Sequence, residues 1–142
     1  MAAGDTNVSI CNAALLLLGA ESITSFTDGS VAAAACSTIY PKVKDTTLAM
    51  YGWSFSIGKA QLARDSATPA SEWTYQYVLP SDMLSGVPRA VYTTSSPGAG
   101  IYKRWEIGRS ASGAAVLMTE ATEIHIDYQQ SVPEGQMPSY FV

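Results

Sequence analysis

One stretch in the first half of the chain, from Ser30 to Phe55, constrains the fold most. Its apolar residues recur at three- and four-residue intervals, which predicts one long helix with these side chains on a single stripe. Lys42, Lys44 and Asp45 lie largely off that stripe, so we expect their side of the helix to face water or a partner. The stripe consists of Val31, Ala35, Cys36, Ile39, Val43, Thr47 and Met50.

Local signals predict where this helix begins and ends. Asp28 or Ser30 can cap its start, because either side chain can accept a hydrogen bond from a free backbone N–H group. Pro41 lacks a backbone donor, which predicts either a kink or a later start. Gly52 can adopt a left-handed conformation at little cost, so we expect the helix to end there.

Aromatic residues follow the helix and predict packing points. Trp53 and Phe55 come directly after Gly52, and two large rings past a helix end favour an anchor between the helices and their neighbours. Trp73, Tyr75 and Tyr77 alternate further along the chain and complete the set of predicted core anchors.

Two more helices are predicted in the N-terminal part. Asp5 or Thr6 caps a first helix that runs to about Leu18, and its apolar residues extend well beyond one stripe. We expect this helix to be buried on several sides, either in a core or between protomers. Ser56 to Ala63 is predicted as a short third helix, which would complete a three-helix bundle. Its inward residues would be Ile57, Ala60 and Leu62.

The period changes to two after Trp73, which indicates strands. Further strands are predicted at 87–94, 101–107, 116–118 and 123–129. The predicted fold class is therefore α+β: a three-helix bundle, then a small antiparallel sheet and an extended C-terminal arm. We expect one domain over 1–142, with a helical part at 1–63, a β part at 72–130 and the arm at 131–142.

Composition limits the function. Hydrophobic residues make up 47% of the 142 residues and charged residues only 14%, below the ~25% of ordinary soluble proteins. So few charges favour an obligate assembly in which apolar surface meets neighbouring subunits. The net charge of −4 argues against a surface that grips nucleic acid, which needs clustered Lys and Arg.

Cysteine usage and hydropathy bear on the compartment. Cys11 and Cys36 lie on apolar stripes, so free buried thiols are expected, and a disulfide between them is left open. The N-terminus has no basic segment typical of a signal peptide. The longest apolar run, Ala13 to Leu18, is shorter than the ~20 residues of a membrane span. We therefore expect assembly in a reducing cytoplasm and no membrane association.

Only one group of residues offers catalytic chemistry. Glu123, His125 and Asp127 would share one face of a strand, where they can be read as an acid–base site or as a solvated surface. The cysteines and His125 lack zinc-ligand spacing, and phosphate-loop and nucleophile-elbow motifs are missing. We therefore predict no enzymatic activity, no cofactor and no metal. The alternative is a small enzyme that uses His125 with Glu123 or Asp127.

The C-terminal segment predicts a contact surface. Prolines prevent a continuous helix after Ser131, yet the chain closes on apolar residues, which ordinarily do not extend into water. We expect an arm that docks onto a partner, and the alternative is that it folds back on its own chain. The candidate interface residues are Pro138, Tyr140, Phe141 and Val142.

Taken in order, these motifs resemble the head-to-tail adaptors of tailed phages, of the tail tubular protein A type. The similarity covers about Val8 to Val142. Its most specific part is the alternation of aromatic residues that leads into Leu79, Pro80 and Asp82. The other matching residues are Asn12 to Leu15, Leu18, Gly19, Ile23 to Asp28, Trp53, Phe55, Lys59, Leu62, Ala63, Pro138 and Tyr140 to Val142.

The resemblance implies a structural protein of the virion. Such adaptors form a dodecameric ring under the portal and join the DNA-filled head to the tail. The implied partners are further copies of the chain, the portal protein and a tail or nozzle protein. Phage DNA would pass through the channel without specific binding, and a modest net negative charge fits that passage. The implied location is the virion neck, after assembly in the host cytoplasm.

Overall fold

The computed structural model describes residues 5–141 of the chain. Over this part it has two α-helices, six β-strands and two short 3₁₀ turns, at Ser54–Ser56 and Glu134–Gln136. The chain divides into two compact units. The helical unit joins the residues before Ser56 to those after Gln130, and the strand unit is Ser56–Gln130. The elements are α1 (Asn7–Leu17), α2 (Val31–Met50), β1 (Ile57–Gln61), β2 (Tyr75–Val78), β3 (Ala90–Tyr92), β4 (Trp105–Arg109), β5 (Ala115–Thr119) and β6 (His125–Gln129).

Helix α1 begins with a capping box. The Thr6 hydroxyl accepts a hydrogen bond from the Ser9 backbone N–H at 3.1 Å, and the Ser9 hydroxyl accepts one from the Thr6 N–H at 2.9 Å. These two bonds satisfy backbone donors that the first turn of a helix leaves free. Asn12 then holds the connector after the helix, because its side-chain amide exchanges two hydrogen bonds with the backbone of Ile23.

At the start of helix α2 the predicted Ser30 cap is confirmed, but two other predictions about where the helix begins and ends are wrong. The Ser30 hydroxyl accepts a hydrogen bond from the Ala33 N–H at 3.1 Å, and Asp28 accepts one from the Ser30 hydroxyl. The helix continues through Pro41, so a later start is wrong. The left-handed end at Gly52 is also wrong, because Tyr51 ends the helix in an extended conformation with φ −144°.

The helical unit has a small core of its own. Cys11, Ile23 and Ala33 are buried there, and Leu48 is also fully buried. Partly buried side chains that pack against this core are Val8, Leu15, Phe26, Ala32, Cys36 and Tyr40. The inward side of α2 therefore runs through Ala33, Cys36 and Tyr40.

The predicted three-helix bundle is wrong, because the third element is a strand. Ile57–Gln61 pairs along its whole length with His125–Gln129. The short pattern of Ile57, Ala60 and Leu62 fits a helix and a strand equally well, and Gly58 costs a helix about 1 kcal/mol. Antiparallel pairing with β6 decides between the two. The β part of the chain therefore begins before Arg64.

The prediction of a single sheet is wrong. The six strands form two three-stranded antiparallel sheets, in the orders β1-β6-β3 and β2-β5-β4. The strand unit has one core cluster, which draws on both sheets. Beyond β1 the chain continues alongside β2, where Val78 donates to the carbonyl of Ala63 at 3.1 Å. The buried members of this core are Leu62, Tyr77, Val91, Leu117, Ile124, Ile126 and Tyr128.

The C-terminal segment is not extended throughout. It contains the 3₁₀ turn Glu134–Gln136, and the side chains on either side of the turn, Val132 and Met137, are buried. Apolar residues of this segment therefore already contribute to the folded chain.

Candidate functional site

The most unusual surface of the described chain is apolar and belongs to the two helices. Helix α1 ends on Leu16, Leu17 and Leu18, which we call the leucine end, and all three side chains are exposed, Leu17 at 88%. Such residues at the end of an amphipathic helix are normally covered. The expectation that α1 is buried on several sides is therefore wrong for this chain by itself.

Helix α2 exposes most of the apolar stripe predicted from the sequence, although Cys36 and Thr47 of that stripe are half-buried. Val31, Ile39, Val43 and Met50 are all exposed, Val31 at 88%. Together with the exposed Ala35 we call these residues the outer stripe. The helix has two apolar sides: the inward side through Ala33 and Tyr40, and the outer stripe about a quarter-turn away. Large exposed apolar groups are typical of protein or membrane interaction sites, ligand grooves and aggregation-prone surfaces.

Lys42 and Asp45 are exposed, as predicted for their side of α2, whereas Lys44 forms an ion pair with the C-terminal segment. The Lys44 ammonium lies 3.1 Å from a carboxylate oxygen of Glu134, and the two side chains are only 17% and 20% exposed. The Tyr40 hydroxyl donates to the same oxygen at 3.0 Å. This cluster binds the C-terminal segment to α2.

Electrostatics at this cluster follow from its geometry. Burial raises the pKa of Glu134, but hydrogen bonds from its own backbone, Lys44 and Tyr40 outweigh burial, so the net pKa is lowered. Burial, followed by the bond to Glu134, raises the pKa of Tyr40 well above its ordinary value. Glu134 is therefore ionised and Tyr40 protonated at neutral pH.

An aromatic cluster lies at the other end of the same segment. The Phe141 ring packs edge-on against Trp53 and Phe55, each with 5.1 Å between ring centroids. The Trp53 indole N–H donates to the carbonyl of Thr47 at 3.0 Å, so the anchor is fixed to the last turns of α2. These contacts give Trp53 and Phe55 a defined packing role within the helical unit.

The predicted interface residues thus have different surroundings. Phe141 contacts its own chain, Pro138 is half-buried, and Tyr140 is 74% exposed. Val142 lies outside the described residues. The use of this segment as an interface stays a prediction, with Tyr140 as its most accessible side chain.

The other predicted anchors lie in the strand unit. Tyr77 is buried in the core, and its hydroxyl donates to the carbonyl of Ala121 at 2.6 Å. Tyr75 packs against this core under the guanidinium of Arg64, which lies 4.7 Å from the ring centroid. The Trp73 indole N–H donates to Glu106 at 3.0 Å.

The strand unit also carries a polar cleft of about 550 Å³. Its floor is one face of the β1-β6-β3 sheet, where register places Lys59 opposite Asp127 and Tyr92 opposite His125. The loop 94–99 forms a wall. No sequence pattern indicates that this Ser- and Gly-containing loop lines a cleft, because its position depends on strand pairing.

Of the three residues predicted as a possible acid–base site, the structure pairs His125 with Glu123 and gives Asp127 other partners. His125 Nε2 lies 2.5 Å from a carboxylate oxygen of Glu123. Asp127 accepts hydrogen bonds from the Lys59 ammonium at 2.8 Å and, at 3.4 Å, from the Tyr92 hydroxyl. Each acidic group therefore has a basic partner beside it.

The described residues contain no group of three or more His, Cys, Asp and Glu side chains that could hold a metal ion. Between residues 5 and 141, neither helix is long and apolar enough to cross a membrane. The described residues thus present a cleft lined by paired charged side chains on the strand unit, and exposed apolar side chains on both helices.

Comparison of the sequence with models of known protein families gave no match, and comparison with curated proteins gave none either.

Proposed function

We propose that this protein is a structural subunit that assembles with copies of itself into a ring, as the head-to-tail adaptor of a tailed phage. The observation that carries the proposal is the exposed apolar surface of the helices, the leucine end and the outer stripe. The location that we propose for the ring, between the portal and the tail, rests on the resemblance of the motif order to phage adaptors.

Burial energetics support the self-association step. Covering a large aliphatic side chain contributes about 1.5–3 kcal/mol before ordering costs. The leucine end and the outer stripe together offer several such side chains. Subunits of a ring each use two surfaces, so small contributions repeat around the circle and add through avidity.

The charge of the chain supports a role beside DNA without gripping it. The net charge is −4 and the basic residues number only eight. One of them, Lys44, is paired with Glu134, and Lys59 is paired with Asp127. A channel wall of this composition repels phosphate and lets DNA pass. The partners proposed are therefore the portal, a tail or nozzle protein and transient DNA, at the virion neck.

Sedimentation velocity of matched variants tests the self-association. Leu17→Glu and Val43→Glu place a charge on the leucine end and the outer stripe, and each should shift the protein toward the monomer. Ile101→Glu is the control, because Ile101 is an exposed apolar residue of the strand unit. The proposal fails if all three variants sediment like the wild type, or if the control alone dissociates.

The alternative function, a small enzyme, has one specific observation in its favour, the cleft that holds His125. The adaptor proposal gives His125 only its contact with Glu123 and gives the cleft no catalytic step. His125→Ala should then leave self-association unchanged. Specific binding of a small molecule in the cleft, lost in His125→Ala, would favour the enzyme.

A further inference from the structure

Cys11 and Cys36 bring two thiols together across the interface of α1 and α2. Cys11 lies on α1 and is buried, and Cys36 lies on α2, where it packs against the cluster that contains Cys11. Both are free cysteines. Burial, followed by hydrogen bonding to the Cys36 side chain, raises the pKa of Cys11 to about 11.

The surroundings favour reaction between these two thiols over reaction with other partners. Cys11 is 5% exposed, so bulky reagents reach it poorly. Cys36 is half-buried and is the accessible member of the pair. A reagent that enters at Cys36 therefore places its sulfur beside Cys11, which is the arrangement of an entry thiol and a resolving thiol.

We propose that Cys11 and Cys36 form an intramolecular disulfide when the protein meets a disulfide oxidant such as oxidised glutathione. The proposal is independent of the ring function. Its consequence is a covalent link between α1 and α2, whose contact otherwise depends on a small core. Helix α1 has 11 residues, a length at which an isolated helix is marginal, so the link would hold α1 and its leucine end on the unit.

The reaction balances with one oxidant molecule. The Cys36 thiolate attacks a sulfur of oxidised glutathione, forms a mixed disulfide and releases one glutathione thiolate. Cys11 then loses its proton to solvent, and its thiolate attacks the Cys36 sulfur, forms the protein S–S bond and releases the second glutathione. Because the pKa of Cys11 is raised to about 11, this second step should be the slower one and should speed up as the pH rises. Two protein thiols lose two electrons and two protons, and one glutathione disulfide becomes two thiols.

Intact mass and peptide mapping test this proposal on the folded wild-type protein treated with oxidised glutathione. We expect a monomer lighter by two hydrogens, with both thiols lost to titration in denaturant. Trypsin leaves both cysteines in one peptide because Lys42 is the first basic residue. Cleavage after Glu21 separates them, so the two fragments should stay joined until a reductant is added.

Controls separate this outcome from others. The same treatment in denaturant should form the bond more slowly, because the fold no longer holds the thiols together. Cys36→Ser and Cys11→Ala should each abolish the linked fragments. If Cys11→Ala does not fold, the peptide map of the wild type still decides the question. A stable glutathione adduct on Cys36, disulfide-linked dimers or two unmodified thiols in the folded wild type would overturn the proposal.

Discussion

At Glu134, one carboxylate oxygen accepts two hydrogen bonds from α2, and this residue joins the C-terminal segment to the helix. No local pattern in the sequence pointed to it, because Tyr40 and Lys44 are far away along the chain. Contacts of this kind depend on the fold and are predictable only after the fold is known.

Glu134→Gln should lower the free energy of unfolding by about 1 kcal/mol at neutral pH, since neutral hydrogen bonds replace charged ones. The folded pKa of Glu134 is below its ordinary value of 4.5. Its contribution is therefore complete above that value and is lost as pH falls through the folded pKa.

Denaturant unfolding of both proteins between acidic and neutral pH measures this effect. The difference between wild type and Glu134→Gln should shrink as the solution is acidified. Glu21→Gln, an exposed residue of the same unit, is the control and should match the wild type. A difference that stays constant with pH would show that the ionised form of Glu134 is not what stabilises the segment.

Trp53 is the second residue whose substitution should lower the free energy of unfolding by a predictable amount. Trp53→Ala removes its ring contacts with Tyr51, Phe55 and Phe141 and the hydrogen bond to Thr47. Because Trp53 is only half-buried, the loss should lie near the lower end of the ~3–5 kcal/mol seen for large aromatic truncations. Thermal melting measures it, with the exposed Tyr140→Ala as control. Equal melting temperatures for the two variants would rule out the anchor.

At the scale of elements, the sequence predicts best those features whose hydrogen bonds join residues close together in the chain. The caps at Thr6 and Ser30 act within three residues, so the sequence contains both donor and acceptor. Whether Ile57–Gln61 forms a helix or a strand does not depend on local signals, because its hydrogen bonds go to β6 near the other end of the strand unit. When a short apolar pattern fits both a helix and a strand, the pairing partner elsewhere in the chain decides which of the two forms.

The outer stripe of α2 shows a second limit at this scale. Periodicity correctly indicated a helix, but the helix has two apolar sides, and periodicity does not say which one its own chain covers. The small residues Ala33 and Cys36 face inward because they allow α1 to approach closely. The larger Val31, Ile39 and Val43 remain exposed.

Pro41 gives the element-scale prediction. It lies inside α2 and cannot donate the hydrogen bond that an interior residue normally makes. Pro41→Ala should restore that donor and raise the free energy of unfolding by up to ~3 kcal/mol. Circular dichroism melts measure the change, with the loop substitution Pro97→Ala as control. A lower melting temperature for Pro41→Ala than for wild type would show that the proline shapes a contact that α2 needs.

For the whole molecule, composition and exposed surface both support the proposed assembly. A low share of charged residues predicts that apolar surface meets neighbours, and we propose that the exposed apolar residues of the helices form that contact. The α+β class was predictable from the change of period after the helices. The division into a helical and a strand unit was not, because the C-terminal segment joins the helices across the whole sequence.

Electron microscopy of the purified protein, alone and mixed with a tailed-phage portal protein, tests the proposed ring most directly. The account predicts closed rings with a central channel, on their own or seated on the portal, with the helices of neighbouring subunits in contact. Leu17→Glu should abolish these rings and Ile101→Glu should keep them. Single 15.0 kDa subunits with no ring in either sample, at concentrations where the protein is folded, would contradict it.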